Sequence, residues 1–204
     1  MTGKPDRRVR KTRAILREGL EQLMREKSIQ DITVKELCAL CDLNRGTFYA
    51  HYSDVYDLLA AIEEELQTEF ETVFEPLATA DSFEKASQSS AMAGLFRFMG
   101  ENAGMCRILL CDNGDMAFVQ RVKDIVRARF FDAWHEQFSG GMRETSEYLY
   151  AFMVSGCIGI LQQWLEHDRP VPPEQIALLV ENLLTKGMEA FFCGNLKSGL
   201  DQGT

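Results

Sequence analysis

Residues 33–59 read TVKELCALCDLNRGTFYAHYSDVYDLL, a sequence that predicts two short helices, a tight turn between them and the start of another helix. The turn falls at Asp42-Leu43-Asn44, where aspartate and asparagine tolerate left-handed backbone angles. The second short helix carries small, polar and aromatic residues where a buried helix would be apolar. This profile is typical of a helix-turn-helix whose second helix leaves the protein surface and enters the major groove of DNA.

Side-chain caps are expected at the starts of both short helices. Thr33 and Glu36 have the spacing of a capping box, in which each side chain accepts a hydrogen bond from the backbone N–H of the other residue. Asn44 is a favoured N-cap residue, and it predicts a second helix over residues 45–51. The helix-turn-helix is therefore assigned to residues 33–52.

Nine residues of this segment are candidates for contacts with DNA. Short or planar polar side chains reach base edges and phosphates, and a glycine lets the backbone approach DNA closely. Helix N-termini favour anions such as phosphate, because their first N–H groups are unpaired. Phe48 is expected to anchor the second helix in the core, and a purely structural role remains open for His51. The candidates are Thr33, Lys35, Asn44, Arg45, Gly46, Thr47, Tyr49, His51 and Tyr52.

The charge of the chain is unevenly distributed. Residues 1–52 contain eleven Lys and Arg and seven Asp and Glu, a net charge of +4, so the remaining residues carry −13 within the total of −9. Exposed charges are screened within about 8 Å at physiological salt, so the local sign decides which surface attracts DNA. A first helix is predicted over residues 7–26, and its Arg8, Lys11 and Arg13 are expected to contact phosphates.

Helical periodicity continues along the rest of the chain without strand-like alternation, which predicts an all-α fold of about nine helices. The later helices are predicted over residues 55–76, 83–100, 101–111, 116–138, 144–167 and 173–192. We expect an N-terminal three-helix DNA-binding domain, a helical ligand-binding and dimerisation domain, and a disordered tail. Their predicted bounds are 1–54, 55–193 and 194–204.

Several functional classes lack their sequence signals. The chain has no Gly-rich phosphate loop, nucleophile elbow or cluster of metal ligands, so an enzyme, a cofactor and a metal are not expected. Cys38 and Cys41 have no second Cys/His pair near them and are expected to be buried helix positions. No export signal is recognisable, and the longest uncharged apolar stretch, 151–161, is too short to span a bilayer. A cytoplasmic protein with no membrane partner is expected.

Residues 15–59 resemble the DNA-binding head of the TetR/AcrR family of bacterial transcriptional regulators. The resemblance rests on ITVKELCALCDLNRGTFYAHYSDVYDLL, in which T-V, the closing turn, G-T-F-Y, H-Y and L-L match the family pattern at matching spacing. It implies a larger second helical domain that dimerises through its last two long helices and holds a small-molecule pocket. Three positions depart from the pattern: Asp42 replaces a turn glycine, Cys38 an alanine, and Val55 a phosphate-binding lysine.

Two sets of residues in the second domain are candidates for ligand binding and for dimerisation. Aromatic and methionine side chains can line an apolar pocket, although plain core packing explains any single one of them. Glycines inside a long helix permit either a close approach of another helix or a kink. The pocket candidates are Phe96, Met99, Phe118, Phe131, Trp134, Phe152 and Met153. The dimer candidates are Gly156, Gly159, Leu179 and Leu183.

The sequence therefore predicts a homodimer that binds double-stranded operator DNA of roughly palindromic sequence and represses transcription. A small-molecule effector of unknown identity is expected to release the DNA, because it favours a different spacing of the two recognition helices. The alternative is a helical ligand-binding or co-activator protein that has lost operator binding, which Val55 and the acidic total charge keep open.

Overall fold

The computed structural model describes residues 7–78, 91–111, 116–128 and 142–192. Within these residues the chain forms nine α-helices, one 3-10 helix and no strand, which confirms the predicted all-α fold. No helix among them combines the length and the apolar character that crossing a bilayer requires. The helices are α1 (Arg7–Met24), α2 (Val34–Leu40), α3 (Arg45–Tyr49), α4 (Val55–Ala78), α5 (Ala91–Glu101), α6 (Ala103–Leu110), α7 (Met116–Val126), α8 (Met142–Glu166) and α9 (Pro173–Phe192), and the 3-10 helix is Ile29–Asp31.

The chain divides into two compact units, Met1–Thr68 and Glu69–Thr204. This division falls inside α4, which is one continuous helix. The sequence predicts a domain boundary earlier, after residue 54, where α4 begins, and that boundary stays a prediction.

Several helix boundaries differ from those expected from the sequence. α1 ends at Met24 and continues as a turn, and α3 ends at Tyr49. α4 does not stop at Pro76 but reaches Ala78, so Pro76 lies in the last turn of the helix, where it has no backbone N–H to donate. Residues 79–90, 112–115, 129–141 and 193–204 lie outside the described part of the chain. They include the expected start of one helix, the expected end of another and the expected disordered tail.

The first unit is built around the apolar sides of α1, α2, α3 and the start of α4. Leu16 and Leu20 of α1 lie one turn apart on the same side of the helix and are fully buried. Leu37 of α2, Phe48 of α3 and Leu58 of α4 are equally inaccessible. A helix as short as α3 is marginal by itself, so this shared core is what keeps α3 folded and in place.

In the second unit, α5 packs along α9, and α6 packs against α7 and α8. The Phe96 ring of α5 meets the Trp164 ring of α8 edge-on, with 5.6 Å between the ring centroids. Met105 of α6 and Val180 of α9 are buried in the same unit. Removal of these large apolar side chains from water, at roughly 25 cal/mol per Å² of apolar area, is the main stabilising contribution to this unit.

The turn between α8 and α9 holds two non-glycine residues in the left-handed region, Asp168 with φ 53° and Arg169 with φ 57°. The Arg169 N–H donates to the Trp164 carbonyl at 3.0 Å, and the Trp164 Nε1–H donates to the Val171 carbonyl at 2.7 Å. The Arg169 guanidinium also donates to the Gly100 carbonyl of α5. These bonds hold a backbone conformation that costs roughly 1–2 kcal/mol per L-residue.

We expect Arg169→Gly to be more stable than Arg169→Ala by about 1 kcal/mol. Both variants lose the bond to Gly100, but only glycine relieves the left-handed strain. Urea unfolding measures the difference, and the same two substitutions at Lys123 inside α7 are the control. There the order should reverse, because a helix interior favours alanine. Equal stabilities at Arg169 would contradict a left-handed backbone at that position.

Candidate nucleic-acid interface

The start of α2 is capped by one half of the predicted capping box. The Glu36 N–H donates to Thr33 Oγ1 at 3.2 Å, as expected. The Glu36 carboxylate instead accepts from Lys27 Nζ at 2.5 Å, and so it ties the segment after α1 to α2. Lys35 is exposed in the first turn of α2 and leaves a positive charge on that surface.

The turn between α2 and α3 contains the left-handed residue that the sequence predicts. Asp42 has φ 50°, and the Leu43 N–H donates to the Cys38 carbonyl at 2.9 Å. Aspartate serves here in place of glycine, because its short polar side chain is compatible with left-handed angles. Residues 41–44 therefore connect the two helices within four residues, the compact turn that a helix-turn-helix requires.

α3 is anchored by one aromatic side chain and capped by one amide. The Gly46 N–H donates to Asn44 Oδ1 at 2.7 Å. Phe48 is fully buried, with ring centroids 5.6 Å from that of Tyr49 and 5.9 Å from that of Tyr52. The cap fixes where the helix starts, and the buried ring fixes its rotation about its own axis.

The exposed surface of α3 consists of residues that the sequence selects as DNA contacts. Tyr49 has 58% of its surface open to solvent, although its neighbour Phe48 is completely buried. α3 therefore presents an apolar side to the core and a polar side to the outside. The exposed residues, which we call the α3 face, are Asn44, Arg45, Gly46 and Tyr49.

The other five candidates differ in how far they are exposed. Thr33 and Lys35 are exposed at the start of α2, and Thr47 and His51 are half-buried. Tyr52 is only 7% exposed, and burial raises the pKa of its hydroxyl. The structure assigns the Tyr52 ring to the core of the first unit, because the chain has turned inward at this residue after α3 ends.

Gly46 has room for a side chain within the protein. Among the described residues, a Cβ built on Gly46 would have one neighbour within 4 Å, the Asn44 Oδ1 atom at 3.4 Å. Packing among these described residues therefore does not require glycine at position 46. A close approach by another molecule would require it.

The start of α4 carries a complete side-chain cap. The Asp57 N–H donates to Asp54 Oδ1 at 2.8 Å, and the Asp57 carboxylate accepts from the Ser53 N–H at 2.8 Å and the Ser53 hydroxyl at 3.1 Å. Val55, at the position of the usual lysine, is 4% exposed, whereas Tyr56 is 53% exposed. Tyr56 is not among the candidates chosen from the sequence, although the helical spacing of apolar residues in α4 predicts Val55 inside and Tyr56 outside.

α1 begins with an exposed group of cations. Its first turn contains Arg7, Arg8 and Arg10 and no acidic residue, so positive charge stands at the positive end of the helix dipole, where it is unfavourable. An anionic partner would offset this cost. The members of this group, which we call the α1 cation cluster, are Arg7, Arg8, Arg10, Lys11 and Arg13.

The pocket candidates occupy different environments in the second unit. Phe152 is 77% exposed on α8, so it lies on the outside of the unit, and Met153 is half-buried. Three candidates are buried, namely Phe96, Met99 and Phe118. The remaining candidates, Phe131 and Trp134, lie outside the described residues.

The dimer candidates lie on the outside of the second unit. Leu179 and Leu183 of α9 are large apolar side chains that remain exposed. Gly156 and Gly159 of α8 are exposed as well. All four residues are therefore accessible to another chain.

The thiols of Cys38 and Cys41 are held in a helix interface. Cys38 is buried, Cys41 is half-buried, and Cys41 Sγ donates to the Ile15 carbonyl of α1 at 3.4 Å. Burial raises the pKa of both thiols, so both stay protonated at neutral pH. Both residues behave as small apolar side chains of α2 and its end.

Comparison with known sequences finds similarity to transcriptional regulators. A family model described as "Transcriptional regulator C-terminal region" matches residues 87–186. The uncharacterized HTH-type transcriptional regulator YxbF of Bacillus subtilis (strain 168) is 26% identical over 174 residues, which make up 84% of this chain. Those residues cover 44% of that protein, so the chain spans less than half the length of this curated relative.

Comparison with solved structures shows the same fold. A TetR transcriptional regulator from Streptococcus agalactiae 2603V superposes with a TM-score of 0.57 at 22% identity, over 88% of this chain and 96% of that one. The fatty acid degradation regulator FadR from Bacillus halodurans superposes with a TM-score of 0.62 at 12% identity, over 92% of this chain and 98% of that one. Both matches extend over the two units.

Proposed function

We propose that this chain, which belongs to the TetR family of transcriptional regulators, binds operator DNA as a homodimer and represses transcription until a small molecule binds. The two copies of α3 enter successive major grooves about 34 Å apart, so the operator is roughly palindromic. The effector favours a dimer in which the two α3 helices have a different spacing, and it releases DNA by its differential affinity for the two states.

The α3 face is the observation that carries this proposal. α3 has only five residues, and Phe48 alone is fully buried, whereas Tyr49 is largely exposed. Most of its surface is therefore left for contacts outside the chain. Arg45 supplies a guanidinium that pairs with guanine or phosphate, and Asn44 retains its side-chain N–H donors after capping α3. Gly46 leaves open space where the backbone meets the groove.

Phosphate contacts are proposed on both sides of the α3 face. Lys35 and the N-terminus of α2 supply a charge and N–H donors on one side. Tyr56 supplies a hydroxyl at the start of α4, in place of the lysine that Val55 displaces. The carboxylates of Asp54 and Asp57 accept hydrogen bonds from backbone N–H groups in the α4 cap, so they interact with the chain itself.

The effector site is proposed in the second unit. Phe96, Met99 and Phe118 supply apolar surface in its interior, which suits an apolar ligand. Phe152 is left out of this site, because it faces outward. The dimer is proposed through α8 and α9, where Leu179 and Leu183 are exposed.

Alanine substitutions in the α3 face test the proposal. The probe is a duplex selected by the protein from a random library, and fluorescence anisotropy measures its affinity. We expect Tyr49→Ala to weaken binding by about 5- to 150-fold, since a lost base contact costs on the order of 1–3 kcal/mol. Gly46→Ala should also weaken binding, because its added methyl group occupies the space into which the DNA approaches the backbone. Gly46→Ala should leave thermal stability unchanged or raised, because alanine favours helix.

The matched control is Gln30→Ala, an exposed polar residue of the same unit that lies on the 3-10 helix. It should bind the selected duplex as the natural chain does. Unchanged affinity in both α3 variants would remove α3 from the interface. Failure of the natural chain to select any duplex would favour the alternative, a helical protein without operator binding.

A further inference from the structure

We propose that two copies of this chain pair through α8 in one antiparallel register, in which Phe152 of one copy packs on Gly159 of the partner subunit. The two-fold axis then passes between Ser155 and Gly156. This inference rests on the proposed homodimer and adds to it the residues that meet across the axis.

The outward side of α8 is the surface concerned. Tyr148 and Phe152 are 78% and 77% exposed, although both are large aromatic residues of a long helix. Ser155, Gly159 and Gln163 continue the same side at spacings of three or four residues, and all are exposed. The chain therefore leaves a continuous row of uncovered positions along α8, with aromatic residues at one end and small residues in the middle.

This side of α8 suits a second copy of itself by its charge. Residues 148–165 contain no Asp, Glu, Lys or Arg. At a two-fold axis each residue lies close to its own copy, so a charge there would face a like charge. The cores of interfaces are also depleted in charged residues, because a charge buried there loses its contact with water. An exposed but uncharged helix side is what a symmetric contact through α8 requires.

The glycines supply the shape. A Cβ built on Gly156 or on Gly159 meets no atom within 4 Å among the described residues. Packing within the described part of the chain therefore gives no reason for two helix-weakening residues in the middle of α8. A second helix lying close to this side does give a reason, because the missing side chains form a shallow hollow.

Two-fold symmetry then selects the register. In a symmetric contact, if one residue faces a second, the second also faces the first. Pairing Phe152 with Gly159 of the partner subunit also pairs Ser155 with Gly156 of the partner subunit and Tyr148 with Gln163 of the partner subunit. All six positions are exposed, and each aromatic ring meets a smaller or polar side chain. Large residues thus fill hollows, as close packing requires.

The neighbouring registers fit less well. A shift in one direction sets Phe152 against Gly156 of the partner subunit and brings Tyr148 against the half-buried Ile160 of the partner subunit. A shift in the other direction sets Phe152 against Gln163 of the partner subunit. That register places Gly156 against Gly159 of the partner subunit, so two hollows face each other and the aromatic ring meets a polar amide.

Disulfide trapping distinguishes these registers in the full-length protein. The native Cys157 is a poor probe, because it is half-buried and burial raises its pKa to about 11. We expect the Phe152→Cys/Gly159→Cys double variant to form a covalent dimer under mild oxidation. Positions seven residues apart in one helix are about 10 Å apart along its axis, beyond the reach of an intrachain disulfide.

Three controls accompany this variant on a non-reducing gel. Each single substitution should give no covalent dimer above that of the natural chain, because the engineered thiol then lacks a partner opposite it. The Phe152→Cys/Gln163→Cys variant, which the shifted register would join, should also give none. A covalent dimer in this last variant but not in Phe152→Cys/Gly159→Cys would overturn the proposed register and leave the homodimer standing.

A size exchange tests the same contact without oxidation. Gly159→Leu should weaken dimerisation at least 10-fold, because the leucine meets Phe152 of the partner subunit. Phe152→Ala in the same chain should restore most of the loss. Sedimentation velocity measures the association, and circular dichroism confirms that each variant is folded. Weakening without restoration would overturn the register, whereas a natural chain that sediments as a monomer would overturn the homodimer itself.

Discussion

Gly19→Val is expected to destabilise the first unit by about 3 kcal/mol and to abolish operator binding at the same time. Gly19 lies in α1, opposite Leu37 and Leu40 of α2 and the Cys41 that follows them. A Cβ on Gly19 would overlap Cys41 Sγ and lie 3.1 Å from Leu37 Cδ1. Extra carbon atoms in such a filled space force backbone or rotamer shifts that typically cost 1–3 kcal/mol. Valine is also β-branched and less favourable in a helix.

The sign of the Gly19→Ala effect separates this explanation from simple helix propensity. In an open site alanine would stabilise α1 by about 1 kcal/mol relative to glycine. Here it should destabilise, because its methyl group occupies the place of the Cys41 sulfur. Urea unfolding of the natural chain and of Gly19→Ala decides between the two signs.

Cys41→Ala supplies the matched partner for a double-mutant cycle. It removes the overlapping sulfur and with it the hydrogen bond to the Ile15 carbonyl. The Gly19→Ala/Cys41→Ala variant should be more stable than the sum of the single effects predicts, by an amount on the order of 1 kcal/mol. Additive effects would mean that Gly19 and Cys41 do not share this space.

The local features of the first unit could be predicted from the sequence. The Thr33 and Asn44 caps and the left-handed Asp42 depend on residues within four positions of each other, so short-range patterns suffice. Gly19 could not be predicted, because its need for glycine comes from a side chain 22 positions away. Glu36 bonds to Lys27 for the same reason, since the capping-box pattern ignores competitors from another segment.

Exposure was harder to predict than helix position. Tyr52 follows the end of α3, so helical spacing no longer tells which way its ring points, and it is buried. Phe152 stands in α8, where apolar residues occur on all sides and no amphipathic pattern separates inside from outside. Its high exposure comes from how α8 packs with its neighbours in the second unit, which the periodicity of a single helix does not contain.

The α1 cation cluster is expected to have a large effect on the affinity for DNA of any sequence. Replacing Arg8, Lys11 and Arg13 together by glutamine should lower the slope of log affinity against log salt concentration by about three units. Each phosphate contact contributes roughly 0.9 to this slope through the release of counterions. At physiological salt, three lost contacts amount to a loss in affinity on the order of 100-fold. The loss should be similar for selected and for random duplexes, because phosphate contacts carry no sequence information.

The control for total charge is the replacement of Arg97, Arg107 and Lys123 by glutamine in the second unit. It removes the same charge from the chain but should leave the salt slope unchanged, because screening confines exposed charges to their own surroundings. A slope that falls equally in both triple variants would mean that only the total charge matters. A slope that falls in neither triple variant would mean that α1 does not contact DNA.

Stability should move in the opposite direction from affinity in the α1 variant. Positive charge at the N-terminus of a helix opposes the helix dipole, so the neutral residue in place of Arg8, in the first turn, should stabilise α1 by a few tenths of a kcal/mol. Thermal unfolding in the absence of DNA measures this gain. A variant that is more stable but binds DNA more weakly would show that these cations serve an anionic partner and not the fold. A variant that loses stability as well would instead assign them to packing within the first unit.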